Sequence, residues 1–429
     1  MSEPQRIHVA IVGGGIGGVV LGIALSKFQH ITYTIFESRG AFGEIGAGVG
    51  FFKNGHSAMR LIDPRIWESY LEIASFNGWE DKQDVWFDFL NGERGENEGR
   101  RIIEVQMNDP KGMSGAHRAS LLNALIKLLP ANVTEFNKKL VSVDQSRENV
   151  VCQFADGSHR EADLVVACDG IWSACRPLVL DNPKLASPRF TGKVAYRGLL
   201  PMKLAEEVLG DEHANNRTMF LGRGGHVLTF PVSNGALMNV VAFHDSGKTT
   251  WEGESIQKLQ MGNAQRDFSE SQWGSCVVKI VETRSHVFQL LQPDVWAIFE
   301  HAPVPTFYKG RICLLGDAAH AMSPHLGQGA GMAIEDSYIL SNLLGDCSSR
   351  EDIFAALAAY DSVRVPRAIR VTSESFENGK RLDLQGSTAG CDFDKLAAEL
   401  NKVARWIWDL DLEEHLKTAA EKLKQIRKS

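Results

Sequence analysis

Short apolar runs separated by turn signals set the pattern of hydrophobic and polar positions along this chain of 429 residues. The runs His8–Val12, Leu164–Cys168 and Ile312–Leu315 are almost continuously apolar, which is typical of strands buried on both faces of a parallel sheet. A further run, Tyr33–Phe36, follows a helical pattern over Val19–Phe28. This order of strand, helix and strand predicts a βαβ unit and hence an α/β fold.

The middle of the chain shows a different pattern. Between residues 181 and 300, runs bounded by turn residues predict a mixed or antiparallel sheet, and they cover Lys193–Leu200, Val227–Val232, Met238–Phe243 and Val295–Phe299. Residues 76–112, where aromatic and charged residues alternate irregularly, are assigned to the same β-rich part. Residues 393–427 have the spacing of an amphipathic helix.

Glycines follow the first buried strand with the spacing G-x-G-x-x-G, at Gly13, Gly15 and Gly18, and the second strand ends in Glu37. The first glycine permits a tight turn, the second lets a pyrophosphate approach the backbone, and the third lets the helix pack on the strand. Glu37 would receive a ribose diol and repel a 2′-phosphate. The segment therefore predicts a site for FAD or NAD rather than NADP, with a structural glycine turn as the alternative.

These patterns predict two interleaved domains of the α/β class and a C-terminal segment. Residues 1–75, 113–180 and 301–392 would form a discontinuous, Rossmann-like nucleotide-binding domain. Residues 76–112 and 181–300 would form an inserted β-sheet domain for the substrate. Residues 393–429 would form the C-terminal helix.

A second candidate ligand loop follows the third buried strand, which stops at Gly316 and Asp317. Open α/β sheets bind ligands at the carboxyl ends of their strands, so the carboxylate of Asp317 would lie at such a site. Glycines at 327, 329 and 331 then lead into a helical pattern that begins at about Met332. Free N–H groups and the helix dipole at this N-terminus would suit an anionic ligand.

Two charged residues stand at the starts of helices or the ends of strands. Arg118 opens a helical pattern, where the dipole disfavours a cation, so either a nearby anionic ligand or solvent would explain it. Asp169, followed by Gly170, ends a buried strand and would either face a ligand or cap a helix.

Composition narrows the classes of partner. The net charge of −7 argues against nucleic acid, and no apolar stretch has the length of a membrane span. Seven cysteines without a C-x-x-C spacing indicate reduced thiols, so we expect a cytoplasmic protein. We expect no metal site, because His301, His320 and His325 lack the helical spacing of a ligand set.

Taken together, the motifs at 13–18, 169–170 and 316–317 resemble those of the group A flavoprotein aromatic hydroxylases, which are single-component FAD monooxygenases. Further segments resemble the salicylate hydroxylase branch of that family, and these are Phe42–Gly48, Trp79–Asp81, Val85–Phe87, Pro188–Gly192, Ala195–Gly198, Gly225–Pro231, Asn239–Phe243 and Trp406–Asp411. The resemblance implies FAD as cofactor, NADH or NADPH as a transient reductant, O2 as oxidant and a monomer or homodimer. It also implies hydroxylation of a phenolic acid through a C4a-hydroperoxyflavin, with salicylate giving catechol and CO2.

The resemblance also implies where the cofactor is held. Glu37 and Arg39 would hold the adenosine ribose, Arg118 the ribityl–pyrophosphate region and Asp317 the ribityl hydroxyls. Asp169 would contribute to the same site, and the N–H groups of Gly329, Ala330 and Gly331 would face the reduced flavin ring. No second G-x-G-x-x-G follows a strand, so the nicotinamide nucleotide is expected to have no domain of its own.

Two histidines are candidates for accepting the phenol proton, because an ordinary histidine titrates near pH ~6.5. His226 lies on a predicted strand of the substrate domain, and a satisfied core histidine is the alternative. His325 follows Pro324 in the flavin loop, where it would otherwise brace the loop. We predict His226, His325 and Pro324 as the catalytic set.

Four apolar side chains, Met219, Leu228, Phe243 and Trp86, would form walls around an aromatic ring, although such residues are more often plain core. Arg197 would pair with a substrate carboxylate or with an acidic side chain between the domains.

One residue departs from the salicylate hydroxylase pattern. Gln328 stands where that branch tends to have a small residue. Other substrates of the same enzyme class therefore stay open, namely 3-hydroxybenzoate, 6-hydroxynicotinate and an orcinol-type aldehyde. A flavin-binding regulator without turnover and a plain NAD dehydrogenase are the alternatives from other classes, and the intact second loop disfavours both.

Overall fold

The structure, a computed structural model, describes residues 5–43, 48–107, 109, 111–146, 148–258, 263–269, 271–287, 294–386 and 389–428. Residues 44–47, which belong to the segment Phe42–Gly48 named above, lie outside the described residues. Strands and helices are numbered along the chain.

A parallel sheet forms the first layer, and its strands are β1 (Ile7–Val12), β2 (Ile31–Phe36), β7 (Thr134–Glu135), β11 (Leu164–Ala167), β18 (Tyr308–Lys309) and β19 (Ile312–Leu314). The spatial order is β18-β19-β11-β1-β2-β7. Every neighbouring pair is parallel except β18 with β19. Strands β1, β11 and β19 are almost fully buried, which explains their lack of polar alternation.

The parallel direction brings four separate segments to one edge of this sheet. The carboxyl end of β1 leads into the Gly13–Gly18 loop, that of β2 into Glu37, that of β11 into Asp169 and that of β19 into Gly316 and Asp317. Sites at this edge are therefore assembled from residues far apart in sequence.

A mixed sheet forms the second layer, and its strands are β4 (Val85–Asn91), β5 (Arg101–Gln106), β12 (Arg189–Pro201), β13 (Thr218–Gly222), β14 (Gly225–Val232), β15 (Leu237–Asp245), β16 (Ile256–Lys258) and β17 (Asp294–Glu300). The order is β16-β17-β12-β15-β14-β13-β4-β5, and β13 with β4 is its parallel pair. Strands within residues 85–106 thus join the same sheet as strands within residues 189–300, and the domain division stays a prediction.

The two faces of the mixed sheet have different partners. Val240 and Ala242 of β15 point into a core shared with residues of the helices α7 (Met202–Asn215) and α9 (Ser275–Val287). Val241 and Phe243, on the opposite face, belong to a separate small apolar cluster. Side chains therefore alternate along β15: one set packs against helices α7 and α9, and the other set points to the opposite side of the sheet.

Small sheets and helices complete the fold. The remaining strands are β3 (Gly48–Phe51), β6 (Ser114–His117), β8 (Leu140–Asp144), β9 (Val150–Phe154) and β10 (His159–Ala162). The other helices are α1 (Ile16–Leu25), α2 (Lys53–Ile62), α3 (Pro64–Leu71), α4 (Arg118–Ile126), α5 (Arg176–Val179), α6 (Pro183–Ala186), α8 (Asn263–Asp267), α10 (Asp317–His320), α11 (Gly329–Gly345), α12 (Asp352–Leu382), α13 (Phe393–Val403), α14 (Arg405–Trp408) and α15 (Leu412–Ile426). In the part of the chain that the structure describes, no helix is both long and apolar enough to cross a membrane.

The α/β fold with an inserted mixed sheet and a helical C-terminus is confirmed, but three element predictions were wrong in detail. The region 181–300 contains α7 and α9 as well as strands. The tail is three helices rather than one, because the helical backbone is interrupted at Ala404 and again between α14 and α15. Helix α11 begins at Gly329, three residues before the predicted start.

Candidate functional site

A cavity of about 820 Å³ lies between the carboxyl edge of the parallel sheet and the inner face of the mixed sheet. The Gly13–Gly17 loop, Glu37 and Asp317 line one end, called here the nucleotide end. Met219 and Phe243 line the other, called here the ring end. Ligand pockets commonly have volumes of about 300–1,000 Å³, so this cavity is large enough for part of a cofactor together with a small substrate.

The backbone of the first glycine loop builds the nucleotide end. Gly13 has φ +106°, and a Cβ there would lie 2.4 Å from the backbone oxygen of Cys168, so only glycine fits. Gly15 precedes the first turn of α1, whose N–H groups therefore face the cavity. Gly18 does not line the cavity; a Cβ there would lie 2.0 Å from the Gly13 oxygen, so this glycine allows close packing instead.

Glu37 closes the loop from the neighbouring strand. Its Oε2 accepts a hydrogen bond from the Gly14 N–H at 2.9 Å, and its Oε1 accepts one from the Arg39 N–H at 2.8 Å. A carboxylate oxygen accepts more than one hydrogen bond, so both can still take a ribose hydroxyl. The Arg39 side chain is exposed at the rim of the cavity and donates to the Gly43 oxygen.

Asp169 lines the cavity at the end of β11. Its Oδ2 accepts a hydrogen bond from the Ala174 N–H at 2.8 Å. It caps no helix, because α5 begins only at Arg176 and is preceded by Cys175. Burial raises the pKa of the Asp169 carboxyl, although hydrogen bonds from Ser173 and Ala174 oppose that shift.

The second loop places a carboxylate and a helix N-terminus at the cavity. Asp317 is exposed there at the start of α10. Gly329 and Ala330, the first residues of the 17-residue helix α11, also line it. Gly331 lies one step away, where its nearest neighbours are Gln328 and Asn54.

A buried arginine that sequence reasoning passed over connects the two motif loops. Arg176 is fully buried, and its Nη1 donates to the backbone oxygens of Ala318 at 2.8 Å and Ala319 at 2.6 Å. Burial lowers the pKa of Arg176 to about 10. The loop after Asp169 and the loop after Gly316 are thus held together by one side chain.

Gln328 offers a test of whether these residues fit a flavin nucleotide. Its side chain is buried, its Oε1 accepts from Asn54 Nδ2 at 3.0 Å, and its Nε2 has no hydrogen-bond partner in the described part of the chain. A buried donor without a partner is rare and indicates a missing polar ligand atom. With the glycine loop and two helix N-termini, this donor set fits FAD.

A buried ion network lies directly behind Gln328. Glu335 accepts from Arg367 at 2.6 Å and from Arg364 at 2.9 Å, and Asp336 accepts from Arg364 at 2.7 Å. Asn54 Nδ2 donates to Glu335 at 2.7 Å, which ties the network to Gln328. Burial alone would raise the pKa of Glu335, but the two arginines lower it to about 2.

Sequence reasoning missed this network, although a signal was present. Glu335 and Asp336 are adjacent charges within the otherwise uncharged helix α11, and Arg364 and Arg367 are three residues apart on α12. Such charges are almost never buried unless they are paired. His320 lies beside them, with Nε2 2.6 Å from Asp336 Oδ2.

The structure brings the predicted ring walls together at the other end. Trp86, Met219, Leu228 and Phe243 all line the cavity there. Further walls come from residues that the sequence did not single out, and these include Phe52, Phe87, Phe230, Val241, Leu326 and Leu382. The ring end is therefore mainly apolar and aromatic.

The tail supports this wall from behind. Trp408 of α14 stacks on Phe52 with ring centroids 5.5 Å apart, and it meets Trp86 edge to face at 5.1 Å. Arg367 of the buried network donates to the Ile407 oxygen at 3.2 Å. The segment Trp406–Asp411 thus packs behind the aromatic wall of the cavity.

Arg197 supplies positive charge at the cavity. Its guanidinium carbon lies 5.0 Å from the centre of the Trp296 ring, and both residues line the cavity. Burial lowers the pKa of Arg197 to about 10, and the charge of Arg118, another lining residue, adds to the decrease. Two cations therefore face the same cavity, which suits a ligand with anionic groups.

Pro324 and His325 also line the cavity, between the flavin loop and the ring walls. The His325 ring packs so tightly on α12 that a Cβ at Gly379 would lie 2.4 Å from its Cδ2. Burial lowers the pKa of His325 well below its usual value, and the charges of Lys193 and His226 act in the same direction. His325 is thus a neutral base at the cavity wall.

His226 lies on strand β14, as predicted, but behind the cavity wall. It is fully buried and is not among the residues that line the cavity. Its ring stacks on Phe243 at 4.8 Å and meets His325 edge to face at 5.2 Å. Phe243 and His325 lie between His226 and the cavity. His226 is therefore one side chain behind the cavity wall and does not contact a ligand directly.

The comparisons with known proteins agree with this geometry. Residues 121–375 match the family described as FAD binding domain. Salicylate hydroxylase of Pseudomonas putida is 37% identical over 97% of this chain and 95% of that protein. The 6-methylsalicylate 1-monooxygenase of Aspergillus terreus is 36% identical over 98% and 93%. A solved salicylate hydroxylase substrate complex has a TM-score of 0.84 at 33% identity, covering 97% of this chain and 98% of that one.

The fold and the cavity are those of an FAD-dependent monooxygenase. The chain belongs to this FAD-binding family, and within it to the aromatic monooxygenases of the salicylate hydroxylase type. Its cofactor is FAD, and NADH or NADPH is the reductant typical of the family.

Proposed function

We propose that the protein hydroxylates a phenolic acid and that salicylate, converted to catechol with release of CO2, is its substrate. The observation that carries the proposal is the ring end of the cavity, where apolar walls, the cation Arg197 and the neutral base His325 occur together. When bound, FAD would supply the redox chemistry that activates O2.

The nucleotide end is proposed to hold FAD in the following way. Glu37 and Arg39 take the adenosine ribose, the Gly13–Gly18 loop the pyrophosphate, and Arg118 the adjoining chain. The remaining contacts come from the strand ends and α11: Asp169 and Asp317 take ribityl hydroxyls, and the N–H groups of Gly329 and Ala330 face the flavin ring. Gly331 lies off the cavity and has no part in this contact, since a Cβ there would only be in ordinary contact with Gln328 and Asn54.

The ring end is proposed to orient and ionise the substrate. Leu228, Met219, Phe243 and Trp86 hold the ring and exclude water. Arg197 pairs with the carboxylate, as a buried charge-assisted contact that contributes roughly 1.5–3 kcal/mol.

Ionisation of the phenol is the task assigned to the histidines. His325, with Pro324 fixing its loop, accepts the phenol proton, because its lowered pKa leaves it unprotonated at neutral pH. The resulting phenolate directs electron density to the carboxylated carbon. His226 acts from behind His325.

A second substrate class is favoured by one observation. The Aspergillus terreus relative is a 6-methylsalicylate 1-monooxygenase at nearly the same identity as the Pseudomonas putida protein. An alkylated salicylate is therefore the alternative substrate.

The test is a panel of phenols with all products measured together. Salicylate, 6-methylsalicylate, 3- and 4-hydroxybenzoate, 6-hydroxynicotinate and an orcinol-type aldehyde would each be incubated with NADH or NADPH. For salicylate we expect one catechol and one CO2 for each NADH and O2 consumed. NADH consumption that yields only peroxide with every compound would contradict the proposal.

Arg197→Met separates carboxylate binding from ring binding within this panel. We expect KM for salicylate to rise by about 10- to 100-fold, the equivalent of one charge-assisted contact, with little change for the orcinol-type aldehyde. An equal loss on both compounds would show that Arg197 supports the fold rather than the carboxylate.

A further inference from the structure

His226 sits at the centre of a buried cluster that the family resemblance does not explain. Its Nδ1 lies 2.6 Å from Oδ1 of Asp383, the residue that follows α12. Oδ2 of Asp383 lies 2.6 Å from Nζ of Lys193 on β12. His226 and Asp383 are fully buried, and Lys193 is nearly so. Three distant parts of the chain thus meet behind the ring end.

The contact with Asp383 determines the tautomer of His226. An ionised carboxylate only accepts hydrogen bonds, so Nδ1 must carry the proton and Nε2 must hold a lone pair. Nε2 is buried and has no hydrogen-bond partner in the described part of the chain. A buried acceptor without a partner destabilises the fold, and such groups are nearly always satisfied, so its presence here points to a function.

Lys193 controls the charge of the cluster. Alone, the carboxylate of Asp383 would stabilise an imidazolium at His226. Burial lowers the pKa of His226, Asp383 opposes this shift, and the charge of Lys193 lowers the pKa further. Lys193 also donates to the Gly379 oxygen at 2.8 Å, which fixes it to α12 beside His325.

The groups that face His226 from the packed elements are few. Among the described residues, the titratable ones are Asp383 after α12, Lys193 on β12 and His325 in the flavin loop. Phe243, stacked on the ring, is neutral. The state of His226 is therefore set by one anion and one cation.

We propose that Asp383 and Lys193 are positioning residues that hold His226 as the neutral Nδ1–H tautomer, so that an uncharged ring packs against His325, the base that accepts the phenol proton. The proton leaves the phenol oxygen and ends on His325, so the phenolate and the imidazolium of His325 balance each other in charge, and a neutral His226 adds no repulsion. The proposal rests on the proposed function only for the identity of the proton donor.

The first experiment needs no substrate and no turnover. The FAD-loaded protein, labelled with 15N-histidine, is examined by NMR, and the His226 signals are assigned by their loss in His226→Gln. We expect the Nδ1–H tautomer in the unsubstituted protein. In Asp383→Asn we expect the Nε2–H tautomer to be populated. In Lys193→Met we expect the pKa of His226 to rise by about 1 unit or more, because a like charge has been removed.

A matched control uses a second buried acid on the same sheet. Asp88 of β4 pairs with Lys82 at 3.6 Å and Arg101 at 2.6 Å and does not line the cavity. Asp88→Asn removes an equally buried charge and should leave the His226 signals unchanged. The double variant Asp383→Asn with Lys193→Met keeps the charge balanced, so it supplies a folded protein if either single variant does not fold.

The second experiment asks whether the tautomer matters for the reaction. We expect kcat/KM for the phenolic substrate to fall by about 100-fold or more in Asp383→Asn, with FAD retained, and Asp383→Glu to recover part of the loss. In Lys193→Met the acid limb of the pH profile should move to higher pH, because a His226 with a raised pKa stays protonated longer.

Each outcome decides one statement. If the His226 signals are the same in Asp383→Asn, Lys193→Met and Asp88→Asn, the positioning role is wrong. If the signals change but kcat/KM falls no further than in Asp88→Asn, the role in proton transfer is wrong. If the unsubstituted protein hydroxylates no phenol, the proposed function fails, and the NMR result still decides whether Asp383 and Lys193 set the state of His226.

Discussion

The two ends of the cavity present different chemical groups to a ligand: mainly backbone groups at the nucleotide end and side chains at the ring end. At the nucleotide end, backbone groups of the Gly13–Gly18 loop and of the first turn of α11 face the ligand, with a few carboxylates at strand ends. At the ring end, side chains from β4, β12, β13, β14 and β15 face it instead. Backbone geometry tolerates few changes, whereas side chains can be exchanged on a fixed sheet, so recognition of the cofactor and of the substrate can vary independently.

The buried charges follow the same division. Behind the nucleotide end, Glu335 and Asp336 are matched by Arg364 and Arg367 with short hydrogen bonds. Behind the ring end, His226 Nε2 and His325 Nδ1 are buried without partners in the described part of the chain. The first arrangement fixes structure, and the second leaves acceptors available for chemistry.

The strongest test of the backbone-built end is Gly13→Ala. A side chain at φ +106° strains the backbone by roughly 1–3 kcal/mol, and the added Cβ would meet the Cys168 oxygen at 2.4 Å. We expect the loop to shift, FAD to be lost and activity to disappear. The ratio of flavin absorbance to protein after purification measures this.

Gly157→Ala is the matched control. Gly157 has φ +81° in the turn between β9 and β10, and nothing lies within 4 Å of a Cβ placed there. The backbone strain is similar, but FAD should stay bound. If both variants lose FAD equally, general destabilisation and not the glycine loop is responsible.

This division also explains what could be predicted from the sequence. The nucleotide end follows from short-range order, since each motif directly follows a buried strand and parallel strands bring their carboxyl ends together. The position of His226 could not be predicted, because whether Phe243 and His325 cover it depends on how β15 and α12 pack. Asp383 and Lys193 are 190 residues apart by number and become neighbours only in the folded chain.

Some elements were misread for a related reason. Helices α7 and α9 lie inside a strand-rich region and cover one face of the mixed sheet. Their apolar residues belong to the same core as those of the strands, so the two were not distinguished in the sequence. Residues of α12 contact the flavin loop, the buried network and the tail, so its buried positions do not form one simple stripe. Packing against several partners hides the helical period.

The ring end is tested most strongly by His325→Gln. Loss of a base at the cavity wall should lower kcat/KM for the phenol by about 10²- to 10⁴-fold, while FAD stays bound because the glycine loops are unchanged. NADH oxidation should continue and yield peroxide. Catechol, peroxide and NADH measured together would show this loss of coupling.

His244→Gln is the control for that variant. His244 lies next to Phe243 on β15 but faces Phe268 and Asp267 on the outer side of the sheet. Its replacement should leave coupling unchanged. If His325→Gln keeps full coupling, the phenol proton goes elsewhere.

A lowered histidine pKa is not by itself a sign of catalysis, and His56 sharpens that point. Burial and the nearby Arg60, Arg217 and Lys111 lower the pKa of His56 to about 3, while its Nε2 is hydrogen-bonded to Ser114 at 2.7 Å. The unfolded chain binds a proton at this histidine below pH ~6.5 and the folded chain does not. Stability should therefore fall as pH falls from about 6.5 towards 3.

His56→Gln measures that contribution. Between pH 6.5 and 5 the histidine accounts for about 2 kcal/mol of lost stability, from ~1.4 kcal/mol per pH unit. The variant should lose that much less on acidification, as measured by chemical unfolding at both pH values, with coupling unchanged at pH 7. An unchanged pH dependence would show that His56 is protonated in the folded state as well.

The smallest expected effect concerns which ring the cavity accepts. Leu228 lines the ring end and is only half-buried, so Leu228→Ala opens space for a ring methyl at little cost in stability. One methyl group in an apolar pocket changes binding by about 1–3 kcal/mol. We expect the ratio of kcat/KM for 6-methylsalicylate over salicylate to rise about tenfold.

Val240→Ala, on the opposite face of the sheet, removes apolar volume from the core instead and should destabilise the fold without moving the ratio. Because the change in Leu228→Ala is confined to one wall, FAD content and the pH profile should stay constant. A ratio that moves equally in both variants would mean that sheet flexibility, and not the wall at Leu228, decides the substrate.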